Sequence, residues 1–174
     1  MNHITADLVK KLIGAQFPEW AHLEVKPVKL SGHDNRTFHL GDQMSMRLPS
    51  DAAYAPQVEK ENIWLPILSK GLSLQISAPI AKGKPSEECP WPWSINKWIE
   101  GETVTKENVR DLDEFAADLG SFLVELQSID TSNGPIAGAH NFYRGGLISV
   151  YDKEARVAIV NNKDVFDETL LKHL

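Results

Sequence analysis

Hydrophobic residues recur at every second position near the start of the sequence, which commits this segment to a half-buried sheet. Between residues 23 and 49 the apolar side chains form three short groups with this period. The groups are Leu23, Val25, Val28 and Leu30, then Phe38 and Leu40, and then Met44, Met46 and Leu48. Strands that bury one face show this alternation. The sequence therefore predicts three consecutive strands.

The two turns between these strands differ in composition. Gly41 and Asp42 form a two-residue hairpin signal between the second and third strands. The first turn, residues 31–35, is longer, and Gly, Asp and Asn clusters of this kind are usually plain turns. A second interpretation is a ligand loop: Gly32 allows close approach of the backbone, and Asp34 and Asn35 can hold backbone N–H groups open to an anion.

Helical and strand patterns follow one another on both sides of these strands. Thr5 is a predicted N-cap of a leading helix that Pro18 closes. Pro56 begins a second helix that ends at Gly71, and the interior Pro66 predicts a kink or a restart. Two further strands are predicted at residues 76–81 and 93–99. The result is a sheet of about five strands with one helix inserted after the third.

The pattern becomes helical after Gly101, which is the best boundary in the chain. Apolar residues then recur at three- and four-residue steps and predict a long amphipathic helix whose apolar stripe belongs to a core. The stripe consists of Leu112, Phe115, Ala116, Leu119, Phe122, Leu123, Leu126 and Ile129. Short helices are predicted at residues 152–161 and 164–174.

Composition narrows the possible partners. The chain has 174 residues, 42% of them hydrophobic, and a formal net charge of −6 without a basic stripe, which disfavours nucleic acid. No apolar stretch has the length of a membrane span, and the first ten residues lack the apolar run of a signal peptide. Cys89 is the only cysteine, so no internal disulfide can form. We expect a cytoplasmic protein.

Two short segments combine a cation on a strand with a carboxylate on a helix. Arg47 lies in the third predicted strand, and Glu61 lies in the helix that follows it. A cation on an inward strand position is costly to bury without a partner, and Glu61 is placed to provide one. The simpler interpretation, an exposed arginine and a solvated glutamate, stays open at this point.

The order of these elements and motifs resembles the aminoglycoside phosphotransferase family, which is related to choline kinases and more distantly to protein kinases. Three segments carry the resemblance: residues 32–38 as the nucleotide loop, residues 46–48 in the third strand, and residues 58–65 in the helix. The family usually has Lys where Arg47 stands. The resemblance implies an α+β fold with a kinase-like N-lobe over residues 1–99 and a hinge with an incomplete C-lobe over residues 100–174.

The resemblance also implies a nucleotide site. Phosphoryl transfer needs fixed cations and backbone donors around the phosphates, and Arg47, held by Glu61, would supply one cation. Further implied nucleotide contacts are Gly32, Asp34 and Asn35 in the loop and Lys97, Trp98 and Ile99 in the hinge. The implied cofactor is ATP, with GTP as the alternative. The phosphate acceptor would be a small hydroxylated compound, cationic in some members of the family.

The sequence contains no His-Gly-Asp type signature after Ile99, and therefore no implied catalytic or metal-binding residue. Mg²⁺ is expected only with the lobe that carries this signature. We therefore expect the N-terminal part of an ATP-dependent small-molecule phosphotransferase that is inactive by itself. Two alternatives are a non-catalytic kinase-like interaction module and an unrelated α+β binding domain. Exposed apolar surface on an incomplete lobe also predicts self-association.

Overall fold

The computed structural model describes residues 4–29 and 31–162 of the chain. The chain folds into two compact units, Met1–Ile129 and Asp130–Leu174. The predicted helix at residues 164–174 lies outside the described residues. The proposed division into functional domains at residues 99 and 100 stays a prediction.

The first unit is built on a five-stranded antiparallel sheet with the strand order β1-β2-β3-β5-β4. The strands are β1 (Val25–Pro27), β2 (Asn35–Leu40), β3 (Met44–Pro49), β4 (Pro79–Gly83) and β5 (Trp93–Lys97). One helix is inserted between β3 and β4, and a helical segment follows β5. The predicted α+β class is confirmed.

Three strand boundaries differ from the prediction. Leu40 pairs with Met44, so the hairpin loop has three residues, 41–43, and Gly41 takes the left-handed conformation with φ of 60°. The fourth strand begins at Pro79, and its pairing with β5 is irregular between Pro79 and Ala81. Proline has no N–H for a ladder and is tolerated at the first position of a strand. The fifth strand ends at Lys97 rather than at residue 99.

The leading helix α1 (Ala6–Gln16) covers one face of the sheet. The side chain of Thr5 accepts a hydrogen bond from the Leu8 N–H, which confirms the predicted N-cap. Alternation places the buried apolar side chains of β1, β2, β3 and β5 on the α1 face, where they form one core. Its buried members are Val9, Leu12, Ile13, Val25, Phe38, Leu40, Met46, Leu48, Cys89, Trp93 and Ile95.

The inserted helix α2 (Ala55–Gly71) packs against β4 and β5. Pro56 occupies its first turn as predicted. The helix is continuous through Pro66, so the predicted restart is wrong. Tertiary packing on the sheet overrides the local preference of the proline, which removes only one hydrogen bond from a 17-residue helix.

The amphipathic helix is present as α3 (Leu112–Ser128), and Asp111 caps its N-terminus through the N–H groups of Asp113 and Glu114. None of its residues is buried, so the prediction that its stripe belongs to a core is wrong for this structure. The pattern reports which face is apolar, whereas burial needs a second layer of structure against that face.

The second unit, described over residues 130–162, contains two short 3-10 turns, Ala139–Asn141 and Ile148–Tyr151, and helix α4 (Asp152–Asn161). The predicted helix at residues 152–161 is confirmed. Within the described part of the chain, no helix is both long enough and apolar enough to cross a membrane.

Candidate nucleotide site

The sheet face opposite α1 is polar. In β3, Ser45 and Arg47 alternate with the core residues Met46 and Leu48, so they lie on the other face. The register extends this face sideways, because Ser45 pairs with Asn96 and Arg47 pairs with both Thr37 and Ser94. A sheet that buries polar side chains in this way differs from the usual apolar layer and marks the face as a candidate binding surface.

Asn96 is the most unusual residue on this face. Its side chain is fully buried, yet neither Nδ2 nor Oδ1 has a hydrogen-bond partner among the described residues. A buried amide without a partner costs roughly 1–3 kcal/mol. Most buried polar groups in folded proteins are paired, so this site differs from an ordinary core.

Arg47 and Glu61 form an ion pair across the polar face. Arg47 Nη1 donates to Glu61 Oε2 at 2.8 Å, and the two side chains are 30% and 17% exposed. Glu61 Oε1 accepts a longer hydrogen bond of 3.4 Å from Gln57 Nε2. The carboxylate thus holds one edge of the guanidinium, and the other N–H groups of Arg47 have no partner among the described residues. The predicted contact is confirmed, and its role in nucleotide binding stays a prediction.

The turn between β1 and β2 is held differently from what the sequence indicated. Gly32 is not left-handed, and a Cβ there would meet no atom within 4 Å, so the protein itself does not require glycine. The side chains of Asp34 and Asn35 make no hydrogen bond to the loop backbone among the described residues. Asp34 Oδ1 lies 3.4 Å from His33 Nδ1. Asn35 is the first residue of β2, where successive side chains point to opposite faces of the sheet.

The residues that do hold the loop are Ser31, Arg36 and Ser50, which the sequence analysis did not single out. Their side chains donate to backbone carbonyls of residues 32–35. A serine inside a Gly/Asp/Asn turn is a weak signal for such bonds, because serine hydroxyls often bind nearby backbone groups. Ser50 gave no local signal, since it is 16 residues from Asp34 in sequence.

Some of the backbone groups that were predicted to contact a nucleotide at residues 97–99 form hydrogen bonds within the protein instead. Lys97 donates its N–H to Ala78 O at 2.9 Å and accepts from Ser77 Oγ at 2.9 Å, and Trp98 donates its N–H to Gln43 O at 2.8 Å. The N–H of Ile99 has no acceptor among the described residues. The Ile99 N–H and the Trp98 carbonyl are therefore hinge backbone groups without a partner among the described residues.

The Trp98 side chain packs against His39 of β2. Its ring centroid lies 4.2 Å from that of His39 at an interplanar angle of 64°, beside a cavity of about 310 Å³. Lys26, which also lines this cavity, forms an ion pair with Glu24 at 2.7 Å. The hydrogen bond and the negative charge of Glu24 raise the pKa of Lys26. The Trp98 ring thus lies beside His39 at one end of the polar face and is only partly exposed to solvent.

No group of three or more His, Cys, Asp and Glu side chains in the described ranges could hold a metal ion. Cys89 is buried, and burial raises the pKa of its thiol. Such a thiol is less nucleophilic than an exposed one, because the thiolate is the reactive form. Cys89 therefore belongs to the core and not to the site.

A family model matches residues 24–174, which is most of the chain, and its description is the phosphotransferase enzyme family, APH. The chain belongs to this family. The matched range includes all five strands and helices α2 and α3. A search of curated proteins with the sequence finds no significant match.

Solved structures similar to this phosphotransferase family member include aminoglycoside phosphotransferases. The GDP complex of aminoglycoside 2′-phosphotransferase-IIIa has 18% sequence identity and a TM-score of 0.69, and the match covers 94% of this chain and 53% of that one. A GDP and kanamycin complex has 19% identity, a TM-score of 0.66 and coverages of 95% and 55%. The streptomycin-ATP complex of APH(2″)-IIa has 21% identity, a TM-score of 0.60 and coverages of 99% and 56%.

At these identities the structural likeness shows the fold. The chain spans about half the length of the structures it matches. Family membership makes the chain phosphotransferase-like, in agreement with the resemblance seen in its motifs.

Proposed function

We propose that this chain binds ATP or GTP between the polar face of its sheet and its hinge, as the N-terminal part of a small-molecule phosphotransferase. The observation that carries the proposal is the Arg47–Glu61 ion pair at 2.8 Å. It supports the proposal because the carboxylate orients the guanidinium while leaving other N–H groups of Arg47 available for phosphate oxygens.

The chain's own groups suit the other parts of a nucleotide. Ile99 offers an N–H donor, and the carbonyls of Trp98 and Ile99 offer acceptors, for the edge of a base. Gly32, Asp34 and Asn35 lie in or next to the loop proposed for the phosphates. A bound nucleotide would supply the transferable phosphoryl group. This division of roles keeps residues 1–99 as the proposed nucleotide-binding lobe, with residues 100–174 as hinge and helical segment.

We further propose that the phosphate acceptor is a small hydroxylated compound that carries positive charge. Structures similar to this chain contain kanamycin, streptomycin or gentamicin, which supports the proposal by analogy of fold. We expect no phosphate transfer by the 174-residue chain alone, because no His-Gly-Asp type signature follows Ile99. Mg²⁺ is expected together with the residues that carry that signature. The proposed location is the cytoplasm.

A thermal-shift titration with Mg-ATP and Mg-GTP tests nucleotide binding. A ligand at about 100 times its Kd stabilises the folded state by roughly 2.7 kcal/mol, so the melting temperature of the wild-type chain should rise clearly. Arg47→Ala should reduce this rise. Arg156→Ala is the matched control, because Arg156 also forms an ion pair, with Asp152 at 2.7 Å, but lies in α4. The absence of any shift in the wild-type chain would refute the proposal.

The second candidate function is a non-catalytic interaction module. One observation favours it: the apolar stripe of α3 leaves Leu112, Leu119 and Leu123 exposed, and such a surface often marks an interaction site. Under this function, nucleotide would leave the melting temperature unchanged, so the same titration separates the two candidates.

A further inference from the structure

In the loop between β1 and β2, the backbone carbonyls of residues 32–35 accept hydrogen bonds from side chains of the protein. Arg36 Nη1 donates to the carbonyl of Gly32 at 3.1 Å and to that of His33 at 3.3 Å. Arg36 and Phe38 are two residues apart in β2, so their side chains lie on the same face of the sheet. Arg36 therefore reaches the loop from the α1 face, opposite to Arg47.

Serine hydroxyls hold the remaining carbonyls. Ser50 Oγ donates to the carbonyls of His33 at 2.8 Å and Asp34 at 3.1 Å, and the Ser50 N–H donates to Asp34 O at 2.9 Å. Ser31 Oγ donates to the Asn35 carbonyl at 3.0 Å and accepts from the Thr37 N–H at 3.0 Å. All four carbonyls of residues 32–35 are thus engaged by side chains.

The amides of the same loop show the opposite behaviour. Among the described residues, the N–H groups of Gly32, His33 and Asp34 donate to no acceptor. Successive backbone N–H groups without partners, whose carbonyls are bound elsewhere, can donate hydrogen bonds to an anion. The carboxylate of Asp34 lies at the ring of His33, 3.4 Å from Nδ1, and its side chain is mostly exposed to water.

The loop is also attached to the strand that carries Arg47. Ser50 directly follows Pro49, the last residue of β3, and Asn35 at the start of β2 pairs with Pro49. The hydrogen bonds of Ser50 therefore fix the loop relative to β3. A phosphate group bound by the loop amides would be positioned relative to the Arg47 guanidinium by the same contacts.

We propose that Ser31, Arg36 and Ser50 are positioning residues that hold the loop carbonyls back, so that the amides of Gly32, His33 and Asp34 bind the phosphates of the nucleotide. This inference rests on the proposed nucleotide-binding function. The three side chains act through the backbone and do not touch the ligand. Their loss should therefore weaken binding in proportion to the phosphates present, while the base and ribose keep their contacts.

Calorimetric titrations of the 174-residue chain with adenosine, Mg-ADP and Mg-ATP test this role. We expect Ser50→Ala and Arg36→Met each to weaken ATP binding about three- to tenfold, the range expected for losing one or two positioning hydrogen bonds. Adenosine affinity should stay within about twofold of wild type. Ser128→Ala is the matched control, because Ser128 Oγ also donates to a backbone carbonyl, that of Glu125 at 2.7 Å, at the end of α3.

The outcomes separate this inference from the proposed function. If the wild-type chain binds neither adenosine nor ATP, nucleotide binding fails, and the positioning role fails with it. If the wild-type chain binds ATP but the variants weaken adenosine and ATP equally, or weaken neither, only the positioning role is overturned. An equal loss would mean that these side chains maintain the fold and not the phosphate loop.

A second measurement does not depend on any variant. Inorganic tripolyphosphate is titrated into ¹⁵N-labelled wild-type chain while the amide resonances are followed by NMR. We expect the resonances of Gly32, His33 and Asp34 to shift more than those of the hairpin loop at residues 41–43. If ATP binds to the chain but the amide resonances of Gly32, His33 and Asp34 do not shift in the titration, phosphate recognition occurs elsewhere and the inference is wrong.

Discussion

The indole of Trp93 lies directly against Gly83, its cross-strand partner in β4, so that a Cβ on Gly83 would fall 1.9 Å from a ring atom. Trp93 is fully buried, and its ring also meets Phe17 edge-on with centroids 5.6 Å apart. The glycine thus provides the space that the largest core side chain occupies. This contact joins the edge strand β4 to the core beneath α1.

Gly83→Ala should therefore destabilise the chain. The added methyl group must displace a buried indole, and overpacking of this kind costs about 1–3 kcal/mol. Urea unfolding followed by tryptophan fluorescence measures the loss. Gly14→Ala is the control, because a Cβ at this exposed position of α1 meets nothing within 4 Å and alanine favours helix. Equal stability of the two variants would contradict the packing described here.

Arg47 and Glu61 should contribute to nucleotide affinity as a coupled pair. A double-mutant cycle with Arg47→Ala and Glu61→Ala should give a coupling energy of about 0.5–3 kcal/mol for ATP binding, since the carboxylate acts by orienting the guanidinium. Arg47→Lys should lower the affinity less than Arg47→Ala does, because the charge remains although the forked geometry is lost. Additive effects of the two alanine variants would show that the two side chains act independently on ATP binding, and would contradict the orienting role of Glu61.

Because Cys89 is buried, the free energy of unfolding should fall as the pH rises through the alkaline range. Because burial raises the pKa of this thiol, the folded state favours the protonated form. The resulting contribution is complete below the ordinary thiol pKa and is lost as the pH rises through the higher pKa of the folded state. Urea unfolding at about pH 7 and about pH 9.5 should show a larger loss for wild type than for Cys89→Ala. An identical loss in both chains would contradict this account.

The apolar face of α3 should promote self-association of the chain. Leu112 is 72% exposed, and Leu119, Leu123 and Phe115 on the same stripe are 45%, 43% and 39% exposed. Leu112→Lys combined with Leu119→Glu should lower the mass measured by light scattering without reducing the melting temperature. Leu74→Glu, at an exposed apolar position outside α3, is the control. A monomeric wild-type chain at high concentration would disprove the prediction.

Local signals in the sequence predicted most elements of the first unit. The N-cap at Thr5, the first-turn Pro56 and the alternation in β2 and β3 act over a few residues, and the structure confirms each of them. The Arg47–Glu61 contact was also predictable, because one short helical turn separates the end of β3 from α2. The restart predicted at Pro66 is wrong because packing of α2 on the sheet outweighs the local preference of the proline.

The strands, the helices and the chemical types available to the site could be read from the amino acids alone, because propensity, capping and hydrophobic period depend on neighbours along the chain. The three-dimensional fold alone brings Ser50 to the loop and pairs the backbone N–H groups of Lys97 and Trp98 with carbonyls of the protein. It also decides that the apolar stripe of α3 is left exposed. These facts arise from contacts between residues distant in sequence, and from whether a second layer lies against a face. No local pattern encodes either of them.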